Sequence, residues 1–163
     1  MNIEERRAFV AAHRTAVFGY PRAEHGPSMS ILYYAMDGED ILIGTMAERH
    51  KAKAVRRDPR ISLCVLDEQW PPSYLVLYCT ATIEDDLEAT VDLGMRVMAI
   101  MAGEEMPTSR RAAVERMVRD EDRVVIRLKP YMTFESPPRH VYKPDDVETL
   151  THPAGATLPW TQP

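Results

Sequence analysis

The sequence predicts a mainly β, α+β chain: six antiparallel strands closing into a small barrel, with helices attached. Three observations carry that reading. Short runs rich in β-branched, aromatic and other apolar residues recur along the first half, and turn-forming residues separate them. The pattern then changes to a helical period between residues 86 and 118. A last strand-like run, "RVVIRLKPYMTFE", returns at 123–135.

Each element has a local cause. Residues 3–12 form a short helix candidate with Ile3, Phe9 and Val10 free to pack. Strands are expected at 15–20, 28–36, 40–45, 61–67 and 74–84, interrupted by "PRAEHGP", "DGED" and "EQWPPS". Asp37-Gly38 between the second and third strands signals a tight hairpin, because glycine accepts the positive φ that such turns require. From Asp86 to Ala102 apolar residues recur at Leu87, Val91, Met95, Met98 and Ala102, and acids at 85, 86 and 88 suit a helix N-terminus. "GEEMPTS" breaks that helix, and Thr108 or Ser109 is positioned to cap a second one through about Val118. Met95, Met98, Met101 and Met106 read as core or dimer packing, since methionine fills irregular apolar gaps. The expected organisation is one domain over 1–135 with a helical insertion at 86–119, followed by a proline-rich tail at 136–163 that is extended.

Composition excludes several classes. Cys64 and Cys79 both lie in apolar runs, which reads as reduced core cysteine and predicts a cytoplasmic address. The N-terminus mixes acids and bases and lacks a signal-peptide core, and no run approaches a membrane span. The formal net charge of −5 argues against general nucleic-acid binding. His13, His25, His50, His140 and His152 are scattered without metal-ligand spacing, and neither a P-loop nor GxGxxG follows a strand.

Against that acidic background one segment stands out. Arg49, Lys51, Lys53, Arg56, Arg57 and Arg60 face a single acid, Asp58, so this stretch carries +5 and the remainder −10. Lys51 and Lys53 are two of only four lysines in the chain, which sets their placement apart from overall composition. Such a cluster suits a small anion. On a regular helix from Ala47 to Arg57, Lys51 shares a face with Ala47, Ala54 and Val55, whereas Lys53 points away with Arg49, Arg56 and Arg57. Either "MAERH" is an irregular loop, the helix starts near Lys51 and both lysines reach one phosphate, or Lys51 alone contacts the anion and Lys53 faces solvent or a longer anionic tail.

The run "DGEDILIGT", followed after five residues by "KAKAVRRDPRISLCV", resembles the pyridoxamine 5′-phosphate oxidase-like split β-barrel superfamily. The nearer likeness is to its branch of F420-dependent reductases and their flavin-binding relatives, and it extends more weakly from about Phe9 to Phe134. The resemblance implies a six-stranded split β-barrel of the FMN-binding type. It also implies a homodimer with a flavin or deazaflavin in a groove at the subunit boundary, its phosphate against basic side chains. Carried over by residue, the cofactor contacts are Ser30 and Ile31 near the ring, Gly44, Thr45, Lys51 and Lys53 near the phosphate, which favours the loop arrangement of "MAERH", and Arg56 and Arg57, with Arg49, toward the anionic tail that F420 carries beyond its phosphate. Ile31 stands where the family often has proline, and Cys79 where many relatives carry glycine. Cys79 reads as core. The cofactor expected is coenzyme F420, with FMN as the alternative, serving hydride transfer to a small organic acceptor. A flavin- or haem-binding protein without turnover is a third reading. No catalytic side chain is singled out, because in such enzymes the cofactor carries the chemistry.

Overall fold

A computed structural model describes residues 1–69, 73–135 and 155–161. The chain runs α1 (Ile3–Ala12), β1 (Thr15–Tyr20), β2 (Ser28–Tyr33), β3 (Ala35–Asp37), β4 (Asp40–Met46), α2 (His50–Arg57), β5 (Arg60–Asp67) and β6 (Ser73–Glu84). It continues through α3 (Leu87–Ala102), α4 (Arg111–Asp120), β7 (Arg123–Glu135) and β8 (Ala156–Pro159). All strand pairs are antiparallel, in the order β2-β1-β5-β6-β7-β4-β3, with β8 beside β7.

Among the described residues the six expected strands are therefore eight. The run read as one strand at 28–36 divides at Tyr34, whose N–H donates to Arg14 O at 3.3 Å and whose hydroxyl donates to Val10 O at 2.6 Å. Those two bonds draw Tyr34 toward α1 and out of both ladders. The eighth strand comes from the segment read as tail, where Ala156–Pro159 pairs with β7. Most of that tail, and part of the turn expected at 68–73, lie outside the described residues.

Tyr34 also dictates the curvature. β2 and β3 occupy opposite ends of the strand order yet are one residue apart in the chain, so the sheet has to curl until its edges meet. The inner surface is filled by Phe18, Ile41, Ile43, Leu63, Leu75, Leu77, Ile126 and Leu128, all fully buried. The hairpin between β3 and β4 has a two-residue loop whose first residue, Gly38, sits at φ 61°, the requirement foreseen from Asp37-Gly38.

Helix α3 starts at Asp86, whose carboxylate accepts from Ala89 N at 2.8 Å, and stops at Gly103 with φ 74°. It covers only part of the outer sheet face: Leu93, Val97 and Ile100 pack on Ala35, Leu42 and Val125. Helix α4 does not use Thr108 or Ser109 as a side-chain cap. Those residues lie in a 3-10 turn, Thr108–Arg110, that leads into it.

Trp160 closes the far end of the barrel and is 1% exposed. Its indole donates to Glu39 O at 3.1 Å, its N–H donates to Tyr131 O at 3.2 Å, and the Arg7 guanidinium lies 5.6 Å from its ring centre. Removing so large a buried aromatic leaves a cavity, so Trp160→Ala should destabilise the fold by about 3–5 kcal/mol in denaturant unfolding. A loss under about 1 kcal/mol would show that Trp160 rests on the barrel without completing it.

Candidate functional site: an anion cleft at the end of strand β4

Helix α2 sits where β4 ends. Arg49 is extended (φ −67°, ψ 149°), its carbonyl accepts from Lys53 N at 3.1 Å, and the helix begins at His50. It ends before Pro59, because a residue preceding proline is disfavoured in helical geometry, and Asp58 is extended. Ala52, Ala54 and Val55 are buried and seat it on the barrel. The irregular stretch expected from "MAERH" is thus present from Ala47 to Arg49. Both lysines nevertheless lie inside the helix, two residues and about 200° apart, and they face different recesses.

Thr45, Met46, Arg49, Lys51 and Arg123 line one cleft together with Gly44, enclosing about 230 Å³. Lys53 lines another recess across α2, of similar size, with Arg22, His25, His50 and Arg57. Lys53 does not join Lys51 at one anion. It pairs instead with Glu48 at 2.7 Å, both side chains being largely exposed, a pair of small energetic value.

The remaining positive charges divide in the same way. Arg60 forms a forked pair with Asp58, at 2.9 and 2.8 Å. Arg56 donates to Ala47 O at 2.7 Å, which braces the loop carrying Arg49, and Arg57 donates to Pro21 O at 2.9 Å. Neither Arg56 nor Arg57 lines the Lys51 cleft. Among the described residues the Arg49 side chain has only the weak acceptor Met46 Sδ, at 3.3 Å. Lys51 forms no ion pair among the described residues. Its Nζ lies 6.0 Å from the ring centre of fully buried Phe18, the outer limit of a cation–π contact.

Of the ring contacts implied by resemblance, Ser30 and Ile31 diverge, as successive strand residues must. Ile31 is 79% exposed on the outer face. Ser30 points the other way; its Oγ is buried and forms no hydrogen bond among the described residues, a polar atom open to a ligand partner. Neither belongs to the wall of the Lys51 cleft. Arg123 does, and sequence reading passed over it. Its only advance signal is the register that sets it opposite Met46, which requires knowing that β4 and β7 pair. Cys79 is fully buried, and burial pushes its thiol well above its ordinary value, which removes it as a nucleophile.

The electrostatics of the cleft are unbalanced. Burial, and after it the Arg49 guanidinium, push the Lys51 ammonium below its ordinary value. An anion bound there would relieve both effects, and the donors present, an ammonium, a guanidinium and a hydroxyl, suit a phosphate. Linkage gives the sign for stability. Between its depressed folded value and its ordinary unfolded value, Lys51 holds more proton in the unfolded chain, so its contribution to stability rises with pH across that window. Lys51→Met deletes the contribution. The variant should melt higher than the ligand-free wild type at neutral pH, with the difference shrinking as pH rises toward the ordinary lysine range. A constant difference, or a lower-melting variant, would mean that Lys51 is adequately solvated or packs as structure.

Relatives place this geometry in a family. The conserved hypothetical protein Rv2991 of Mycobacterium tuberculosis is similar at 25% identity over 82% of each chain, with a TM-score of 0.72. An F420 reductase (19% identity, 78% of this chain and 94% of that one, TM-score 0.59) shares the fold. So does HutZ, the haem storage protein of Vibrio cholerae (17% identity, 80% and 91%, TM-score 0.57). No curated protein matches in sequence. The family model for pyridoxamine 5′-phosphate oxidase matches residues 3–134, which span the split barrel and the whole cleft, and the chain therefore belongs to the pyridoxamine 5′-phosphate oxidase family.

Proposed function

We propose that the protein is an oxidoreductase that binds coenzyme F420, with the cofactor phosphate on Thr45, Arg49 and Lys51. The observation that carries the reading is the Lys51 ammonium, half-buried, beside a second cation and without an anionic partner among the described residues. A folded chain keeps such a group where a ligand completes it. When bound, the deazaflavin supplies the hydride; the chain supplies anchorage for the phosphate, with the unpartnered Ser30 hydroxyl as a further polar contact. Tyr33, at the adjoining apolar wall, is a phenol from which a proton can reach a reduced acceptor.

Support for F420 over FMN comes from the second basic recess. Arg22, Lys53 and Arg57 gather there with His25 and His50, while Glu24 lines the recess and Glu48 pairs with Lys53, so one formal positive charge is left over to meet an anion beyond the phosphate. The tail of F420 is polyanionic, whereas FMN ends at its phosphate. The earlier expectation that Arg56 and Arg57 meet that tail directly is weakened by their carbonyl bonds, which leaves the recess as a whole as the attraction. Titration with F420, FMN and haem should give F420 the lowest Kd and the steepest loss of affinity with salt. Lys51→Ala and Lys51→Met should each lose about 10- to 150-fold, the weight of one charge-assisted contact. FMN or haem binding more tightly than F420 would redirect the assignment, and unchanged affinity in both variants would remove Lys51 from the site.

The reading includes a homodimer. Helices α3 and α4 pack on β4 and β7, and α3 reaches β3 and the Tyr33 end of β2, whereas among the described residues neither packs on the outer face of β1, β5 or β6. Register aligns Ile31, Val17, Cys64, Val76 and Phe134 in one row across that face, and Met29, Gly19, Ser62, Tyr78 and Met132 in the next. Met29 and Ile31 are 72% and 79% exposed. An apolar sheet face of this extent is suited to a second copy. Sedimentation should show a dimer at micromolar concentration and a monomer for Ile31→Glu. A folded wild-type monomer would reject the proposal.

A further inference from the structure

A larger recess, of about 400 Å³, adjoins the Lys51 cleft and lies within the range of small-molecule sites. Helices α3 and α4 form most of its wall, with Leu93, Val97, Met98 and Met101 from the first and Met117 from the second supplying apolar side chains. The sequence reading assigned Met98 and Met101 to core or dimer packing. In the single chain they are 36% and 55% exposed, because α3 buries its Leu93–Val97–Ile100 edge on the sheet and turns this flank outward. Unbranched thioethers at a groove mouth adapt to guests of different shape.

Gly44 and Arg123 belong to both recesses. A Cβ on Gly44 would make ordinary contact, at 3.8 Å, with Leu93 Cδ2, which sets Gly44 beside the groove wall. Arg123 stands at the junction. Its Nε donates to Glu121 at 2.7 Å, and neither terminal nitrogen forms a hydrogen bond among the described residues. Glu121 is the carboxylate on this guanidinium, while Arg49 and Lys51 on the cleft side keep the junction net positive.

An apolar trough with a planar cation at one end is complementary to one kind of molecule. We propose that the groove takes an apolar monoanion, an aliphatic or aromatic carboxylate, with its carboxylate on the terminal nitrogens of Arg123 and its body along Met98, Met101 and Met117. The two-donor fork matches a carboxylate in a way an ammonium does not. That this molecule is the hydride acceptor rests on the cofactor reading above; that it binds does not.

Calorimetric titration of the full chain, free of cofactor, with octanoate, octanol and acetate tests the site. Octanoate should bind, octanol about tenfold or more weaker, and acetate without saturation, because body and charge are both needed. Arg123→Gln should reduce octanoate affinity to that of octanol and leave octanol unchanged, which also shows that the variant is folded. Met101→Gln should weaken both. Saturating inorganic phosphate should leave octanoate bound, since the phosphate takes the Lys51 side of the junction. Absence of octanoate binding, an Arg123→Gln variant indistinguishable from wild type, or displacement of octanoate by phosphate would each overturn the proposal. Octanoate binding in a protein that binds neither F420 nor FMN would defeat the cofactor reading and keep this site. The converse result would defeat the site alone.

Discussion

One covalent constraint organises the molecule: β2 and β3, the two edge strands of the main path, are joined through a single residue, Tyr34. A flat seven-strand path cannot have its ends one residue apart, so the sheet curls and acquires an inside. The bonds from Tyr34 to Arg14 O and Val10 O fix that closure to α1. Curling then decides what each side of each strand meets. Ile41 and Ile43 go to the interior and Leu42 to α3, while β4 ends with Thr45 facing α2 and Gly44 facing Leu93. The cleft and the groove lie on two sides of the same strand end for that reason.

The concentration of positive charge in an acidic chain resolves into distinct physical roles. Arg60 is matched by Asp58, Lys53 by Glu48, and Arg56 and Arg57 by carbonyls that hold α2 against its flanking loops. Arg49 and Lys51 are left, and they repel one another. A folded chain that keeps two like charges together over a buried phenylalanine forgoes some stability in the free state, which is common at sites that a ligand completes. Arg123 extends the same field from β7 into the apolar groove.

Much of the fold was legible because its signals are local. Alternation marked the strands, Asp37-Gly38 the hairpin, and Asp86 the start of α3, whose capping carboxylate is visible in the residue order. What was not legible depends on distant partners. The break at Tyr34 follows from bonds to residues 14 and 10, and the eighth strand follows from pairing with β7 across an intervening stretch of chain. In the site, Thr45 and Lys51 could be named from the run of residues around them. The separation of Lys53 from Lys51 follows from helical geometry once α2 begins at His50, and Arg123 becomes visible only through the pairing of β4 with β7. Methionines at helical spacing say that a flank is apolar, but not whether the sheet is wide enough to cover it.

In the proposed site Lys51 is a desolvated cation that a bound anion completes. NMR titration of the Lys51 side-chain nitrogen, observed directly in labelled protein with and without saturating cofactor, measures that property at the atom concerned. In the free protein the ammonium should lose its proton below the ordinary lysine range, and bound cofactor should move the transition back up. An ordinary value in the free protein that the ligand does not move would contradict the account.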